Sequence, residues 1–218
     1  ITKDIEKAIY CFSQISNKDY IDDESILYDI NMTIENTNIK NDYSTFSPNM
    51  IIPYAQYTLG IIYYKDIISV NKAIHYFSLA ANHNIIFAYN YLAEIYYQGI
   101  YIERDINRTI YYLTIAANHN EYQAQYSLGI IYYNVKYIKQ DINKAIHYFN
   151  LAAIQDQDAQ YILGMMYLCG QFVRKNMIKA FNLFVQSASN RNIQANFLVG
   201  YFYHEGIHIS RNINKSMK

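Results

Sequence analysis

His204-Glu205-Gly206-Ile207-His208 fits H-E-x-x-H, the spacing with which zinc proteases hold their metal. In such a site two imidazoles one helical turn apart bind the ion, the Glu between them acts as general base, and a third ligand closes the sphere. That chemistry needs an unbroken helix through both His, and Gly206 falls between them. No third ligand stands at a matching spacing, so a variable loop that carries two His is the better reading. The other His fare no better as ligands. His75 and His147 recur at one phase of a repeated pattern, two units apart. Helices packed about 8–10 Å from one another would hold them on the order of 20 Å apart. His83 and His119 are matched loop residues suited to hydrogen-bonding helix ends. No Ser, His and acid set and no G-x-x-x-x-G-K-S/T phosphate loop occurs. Catalytic residues, a metal and a cofactor are therefore not expected, nor is a small-molecule substrate. Cys11 and Cys169 show no C-x-x-C or metal spacing. The sequons at Asn31, Asn107 and Asn214 are close to what this Asn-rich composition yields by chance.

Composition says what elements carry these residues. The 218 residues hold 18 Lys plus Arg and 18 Asp plus Glu, so nothing draws the chain toward phosphates and nucleic acid is not expected as a partner. At 52% apolar and 17% aromatic it can bury a large core. Only two Pro and seven Gly favour helices with short connections over strands and turns. Apolar runs such as LGIIYY and LGMMYL are far too short to span a bilayer. The chain opens on Ile1 without a Met or a signal-type h-region, which reads as a piece of a longer protein; a leader upstream and the compartment, cytoplasm or endoplasmic-reticulum lumen, stay open.

Self-similarity is the dominant signal. AQYTLGIIYY from Ala55, AYNYLAEIYY from Ala88, AQYSLGIIYY from Ala124, AQYILGMMYL from Ala159 and ANFLVGYFYH from Ala195 are copies of one unit. In each, small and apolar residues at i, i+4, i+5 and i+8 make a stripe at helical period. A second unit follows, opening at Ser69, Asp105, Asp141, Asn176 and Asn212, and the chain also begins with one at Asp4. All six openers are residues able to cap a first turn. ANHN at 81–84 and 117–120 supplies Asn, which tolerates the left-handed conformation that ends helices. The prediction is a helix hairpin repeated at intervals of about 36 residues. Both ends fall inside a repeat, so bare apolar faces and self-association of the isolated segment are expected.

The pattern A-x-x-x-L-G-x-x-Y-x-x-G, then D-x-x-K-A, then x-Y-F-x-x-A-A resembles the Sel-1-like repeat family, relatives of the tetratricopeptide repeat. The resemblance implies an all-α fold, a right-handed α-solenoid of antiparallel helix hairpins, with about four complete repeats and partial repeats at both ends. Departures concern loops and surface. The family's loop Gly is kept as Gly99, Gly170 and Gly206 but is Val135 in one copy, and Tyr111 and His75 stand where Trp is frequent. Paired Cys, found in members linked to β-lactam hydrolysis, are missing, so that activity is not carried over.

The organisation predicted is a second helix at 1–17, an insert at 18–53 holding both Pro residues, and a repeat array at 54–218. The insert reads as a partly disordered inter-repeat insertion or a tether. The family implies a non-enzymatic scaffold or adaptor for a protein or peptide partner, with adaptors of endoplasmic-reticulum-associated degradation among its company; the alternative is a regulatory arm of an enzyme encoded outside this segment. If the first helices line a concave face, as in related repeats, the groove residues lie two, six and nine places after each Ala. Those are Tyr57, Ile61 and Tyr64; Asn90, Glu94 and Tyr97; Tyr126, Ile130 and Tyr133; Tyr161, Met165 and Leu168; Phe197, Tyr201 and His204. The aromatic and aliphatic members are the expected partner-binding residues.

Overall fold

The computed structural model describes residues 3–17, 48–65, 69–134, 136 and 138–206. Among these residues the regular structure is ten α-helices without a strand. They are α1 (Lys3–Ser16), α2 (Pro48–Lys65), α3 (Val70–Asn82), α4 (Ile86–Gln98) and α5 (Ile106–Asn118). Then come α6 (Tyr122–Tyr133), α7 (Ile142–Ala152), α8 (Gln157–Cys169), α9 (Met177–Ser189) and α10 (Ile193–Glu205). Adjacent helices pack in pairs, α2 on α3, α6 on α7 and α8 on α9. None of the described helices is long and apolar enough to cross a membrane. Residues 48–53, read from sequence as the end of the insert, form the start of α2, which accommodates Pro53 near its beginning; 18–47 lie outside the described residues.

Capping explains where the helices start. Ser69, Asp105, Asp141 and Asn176 accept from the backbone N–H three residues on, at 3.3, 2.9, 3.0 and 2.9 Å. α1 begins at Lys3, so Asp4 lies within it, and Asn212 lies outside the described residues. First helices have caps of their own that the repeat pattern conceals: Glu121, Asp156 and Asn192 accept from Ala124, Ala159 and Ala195 at 2.8, 2.7 and 2.8 Å. At the other ends Gly99, Gly170 and Gly206 are left-handed (φ 61°, 71° and 67°), as are Asn84 and Asn120 (φ 60° and 62°) after the second helices.

The chain forms two compact units, 1–112 and 113–218. In the first, Ala8 and Phe12 of α1, Ala55 and Leu59 of α2, Ala73 and Phe77 of α3, and Ala88 and Leu92 of α4 share one core. In the second, Ala145 and Phe149 of α7 pack with Ala159 and Leu163 of α8, and Ala180 and Phe184 of α9 with Ala195 and Phe202 of α10. One contact recurs in both. A β-carbon on Gly60, Gly129 or Gly164 would lie 2.5, 2.5 or 2.6 Å from the ring of Phe77, Phe149 or Phe184. The motif's Gly therefore exists to let a fully buried Phe of the second helix lie against the backbone of the first. Where the sequence has Ala93 in place of Gly, the corresponding second-helix position holds Leu113 in place of Phe.

Candidate protein-interaction surface

The H-E-x-x-H stretch is divided by the end of a helix. His204 lies in the last turn of α10, its Nδ1 is 2.7 Å from Glu205 Oε1, and left-handed Gly206 terminates the helix; His208 lies outside the described residues. Among the described residues no three His, Cys, Asp or Glu are grouped as a metal site would require.

The motif's cations are engaged within their own repeats. Lys72, Arg108, Lys144 and Lys179, in the first turns of second helices, stand 5.1, 5.0, 4.9 and 4.2 Å from the ring centres of Tyr63, Tyr96, Tyr132 and Tyr167 on the preceding first helices. Behind three of these rings lies another: Tyr63 stacks on Tyr76, Tyr96 on Tyr112 and Tyr132 on Tyr148. Each cation thus closes a hairpin across a tyrosine face. The position after each Ala does a second structural job. Tyr89 Oη, Gln125 Nε2 and Gln160 Nε2 donate to the carbonyls of Ala81, Ala117 and Ala153, satisfying the end of the preceding second helix.

The residues expected to line a groove divide by burial. In the first unit Tyr57 and Ile61 are core residues, 9% and 8% exposed. Tyr57 lies between Phe77 of α3 and Phe87 and Tyr91 of α4, with ring centres 6.0, 6.5 and 5.9 Å away. Tyr64 is half-buried against Tyr91 at 5.9 Å, while Tyr97 and Glu94 are exposed. In the second unit Tyr126, Ile130, Tyr133, Tyr161 and Met165 are half-buried. Tyr126 and Tyr133 both approach Phe149, at 6.1 and 6.5 Å, and Tyr161 approaches Phe184 at 6.0 Å. Phe197, at 74%, and Tyr201 are exposed on α10. Tyr57, Tyr126 and Tyr161 at phase two and Tyr133 at phase nine therefore lie over a second-helix Phe, and only their outer parts remain available.

Exposed aromatic surface also comes from residues the periodicity did not single out. Phe87 stands one place before the repeat Ala, and Tyr101 and Phe172 follow the loop Gly by two. Phe172 is held at φ 65°, unfavourable for a bulky side chain, and meets Tyr133 edge-on at 6.0 Å. Its place after the loop Gly was the only sequence signal.

Charge differs along this surface. Tyr64 Oη donates to Gln98 Oε1 at 3.2 Å, and Gln98 Nε2 donates to Glu94 Oε1 at 2.7 Å. Burial, and then the Glu94 carboxylate, push the Tyr64 phenol up to about 12. Burial followed by Glu94 also raises Tyr91, and burial followed by Asp158 and Asp156 raises Tyr126.

The Sel1 repeat profile matches residues 1–20, 53–85, 86–121, 123–156, 157–192 and 193–218. The chain belongs to the Sel1-repeat family. Its fold is similar to that of a Sel1 repeat protein from Oxalobacter formigenes, with a TM-score of 0.73 at 21% identity, over 98% of this chain and 96% of that one. It is also similar to c5321, a protective antigen present in uropathogenic Escherichia coli strains displaying an SLR fold, with a TM-score of 0.71 at 20% identity. That match covers 98% of this chain and 43% of c5321, so this chain spans less than half of its length. The comparison with curated proteins gave no match. Sel1-repeat proteins are in general protein-interaction scaffolds. The fold class is that of the family, all-helical with adjacent helices packed in pairs.

Proposed function

We propose that this Sel1-repeat chain is a non-enzymatic scaffold that holds a segment of a partner protein along its first-helix faces. The observation that carries this reading is exposed aromatic area alongside half-buried tyrosines: Phe87, Tyr97 and Tyr101 are exposed in the first unit, which also holds half-buried Tyr64, and Phe172 is exposed against half-buried Tyr133 in the second. Rigid rings with a polar tip contribute large contact area at low entropic cost, and rows of them are seldom idle on a surface. The expected contact set is Tyr64 and Tyr97 in the first unit and Tyr126, Ile130, Tyr133, Tyr161 and Met165 in the second, with Phe197 and Tyr201 on α10. Tyr57 and Ile61 support it from beneath. Within the scaffold class, an adaptor role in endoplasmic-reticulum-associated degradation is the pathway put forward, on family resemblance alone.

A photo-crosslinking residue placed at Tyr97 or Phe172 should join the chain to one partner, and the same residue at exposed His75 should not. With that partner purified, changing Tyr97, Tyr126 and Tyr133 together to Ser should weaken binding by more than about 2 kcal/mol with helix content intact. Undiminished binding by the triple variant would reject this surface.

A further inference from the structure

We propose that Glu94, with the rings of Tyr64 and Tyr91, forms a receptor for one lysine or arginine side chain of a basic partner peptide. The inference rests on the scaffold reading and assigns a chemistry to one part of the surface. Glu94 is exposed on α4, three residues after Tyr91, so the carboxylate and that ring are neighbours on the helix surface. Its hydrogen-bond partner is the neutral amide of Gln98, at 2.7 Å, which also receives the Tyr64 hydroxyl. Neutral partners hold the carboxylate in place without cancelling its charge. Among the described residues no Lys, Arg or His forms an ion pair with it. Nearby cations are already engaged: Lys72 over Tyr63, Arg108 on Asp105 and Tyr96, and Arg104 on the carbonyls of Tyr97 and Gln98 and over the Tyr97 ring, 6.0 Å from its centre, which leaves Tyr64 and Tyr91 as the receptor's rings.

The rings are preorganised. Tyr91 stacks on buried Phe77 at 4.8 Å and 7°, and Tyr64 meets Tyr91 at 5.9 Å and 76°. Aromatic faces beside an unneutralised carboxylate attract a cation and repel an anion. The raised phenols of Tyr64 and Tyr91 are consistent with this field, since both respond to Glu94 after burial. Equivalent places in the other repeats hold Ile61, Ile130, Met165 and Tyr201, so the charge belongs to this repeat alone.

The test uses the whole chain and four fluorescein-labelled, end-capped nonapeptides in fluorescence polarisation at physiological salt. They share a Ser, Ala and Leu frame and differ at the centre: Arg, Lys, citrulline or Glu. The Arg and Lys peptides should bind roughly fivefold or more tighter than citrulline, with Glu weakest. Glu94→Gln should erase this preference without changing the melting temperature, Glu94→Lys should reverse it, and Glu205→Gln, at an exposed carboxylate of α10, should retain it. Equal binding of all four peptides, or a preference that survives Glu94→Gln, overturns the receptor and leaves the scaffold standing. Silence from every peptide up to millimolar concentration overturns the receptor and counts against the surface as well.

Discussion

The seam between α2 and α4 in the first unit and that between α6 and α8 in the second are built on one repeat, yet they present different chemistry. In the first, a tyrosine hydroxyl, an amide and a carboxylate run in series from Tyr64 through Gln98 to Glu94. In the second, the places of Glu94, Tyr97 and Gln98 are taken by Met165, Leu168 and Cys169, and Tyr133 turns its ring toward Phe172. Beneath both lies the same contact of a Gly backbone with a buried Phe ring. Packing is thus shared by these two seams while the polarity of their surfaces differs, which is how a stack of similar hairpins can address a particular partner.

Five substitutions, taken from the largest expected effect to the smallest, would break or sharpen that comparison. Phe77→Ala and Phe149→Ala should each cost about 3–5 kcal/mol in chemical denaturation, because both rings are fully buried. A large gap between the two would mean that the units do not share their packing after all. Gly129→Leu should cost about 1–3 kcal/mol, since its β-carbon already meets Phe149; an unchanged melting temperature would show the seam to be loose. Tyr64→Phe should lower stability by about 0.5–1.5 kcal/mol through the lost bond to Gln98, and Tyr133→Phe should lower it by less. Equal losses would erase the distinction between a hydrogen-bonded seam and an apolar one.

The smallest effect is one of pH. Burial, the largest cause, and then the carboxylate of Asp158 raise Asp156 above the usual carboxylate range, against the lowering effect of the Ala159 N–H. The folded chain therefore holds this proton more tightly than the unfolded chain. The resulting stabilisation is complete below the ordinary carboxylate pKa and is lost as pH rises through the raised one. Asp156→Asn keeps an oxygen for the cap and has no such titration. Its stability relative to the native chain should therefore rise between about pH 4 and 7, by less than about 1 kcal/mol for this half-buried group. Melting curves across that range check it, and a constant difference would mean that the Asp156 charge is not strained by its surroundings.

Read without coordinates, the chain already determined its repeats, its helix hairpins, the caps at Ser69, Asp105, Asp141 and Asn176, and the left-handed Asn84 and Asn120. These are local properties: a cap reaches three residues, a stripe follows one helix, and a Gly at φ 67° ends α10 inside the H-E-x-x-H stretch wherever α10 packs. Glu121, Asp156 and Asn192 are just as local, but Ile85 occupies their place in another repeat and Glu is an uncommon cap, so no shared pattern marked them. What only the tertiary structure decided is which neighbour covers each side of a stripe. Periodicity put Tyr57, Ile61, Tyr97 and Glu94 on one face with equal standing. Contacts with Phe77, Phe87 and Tyr91 placed the Tyr57 ring in the core, while Tyr97 and Glu94 stayed exposed. The Tyr64–Gln98–Glu94 series likewise joins side chains on two helices. Helical periodicity reports a direction around one axis, whereas burial and hydrogen bonding depend on the distance to the next helix, which no single stretch of sequence encodes.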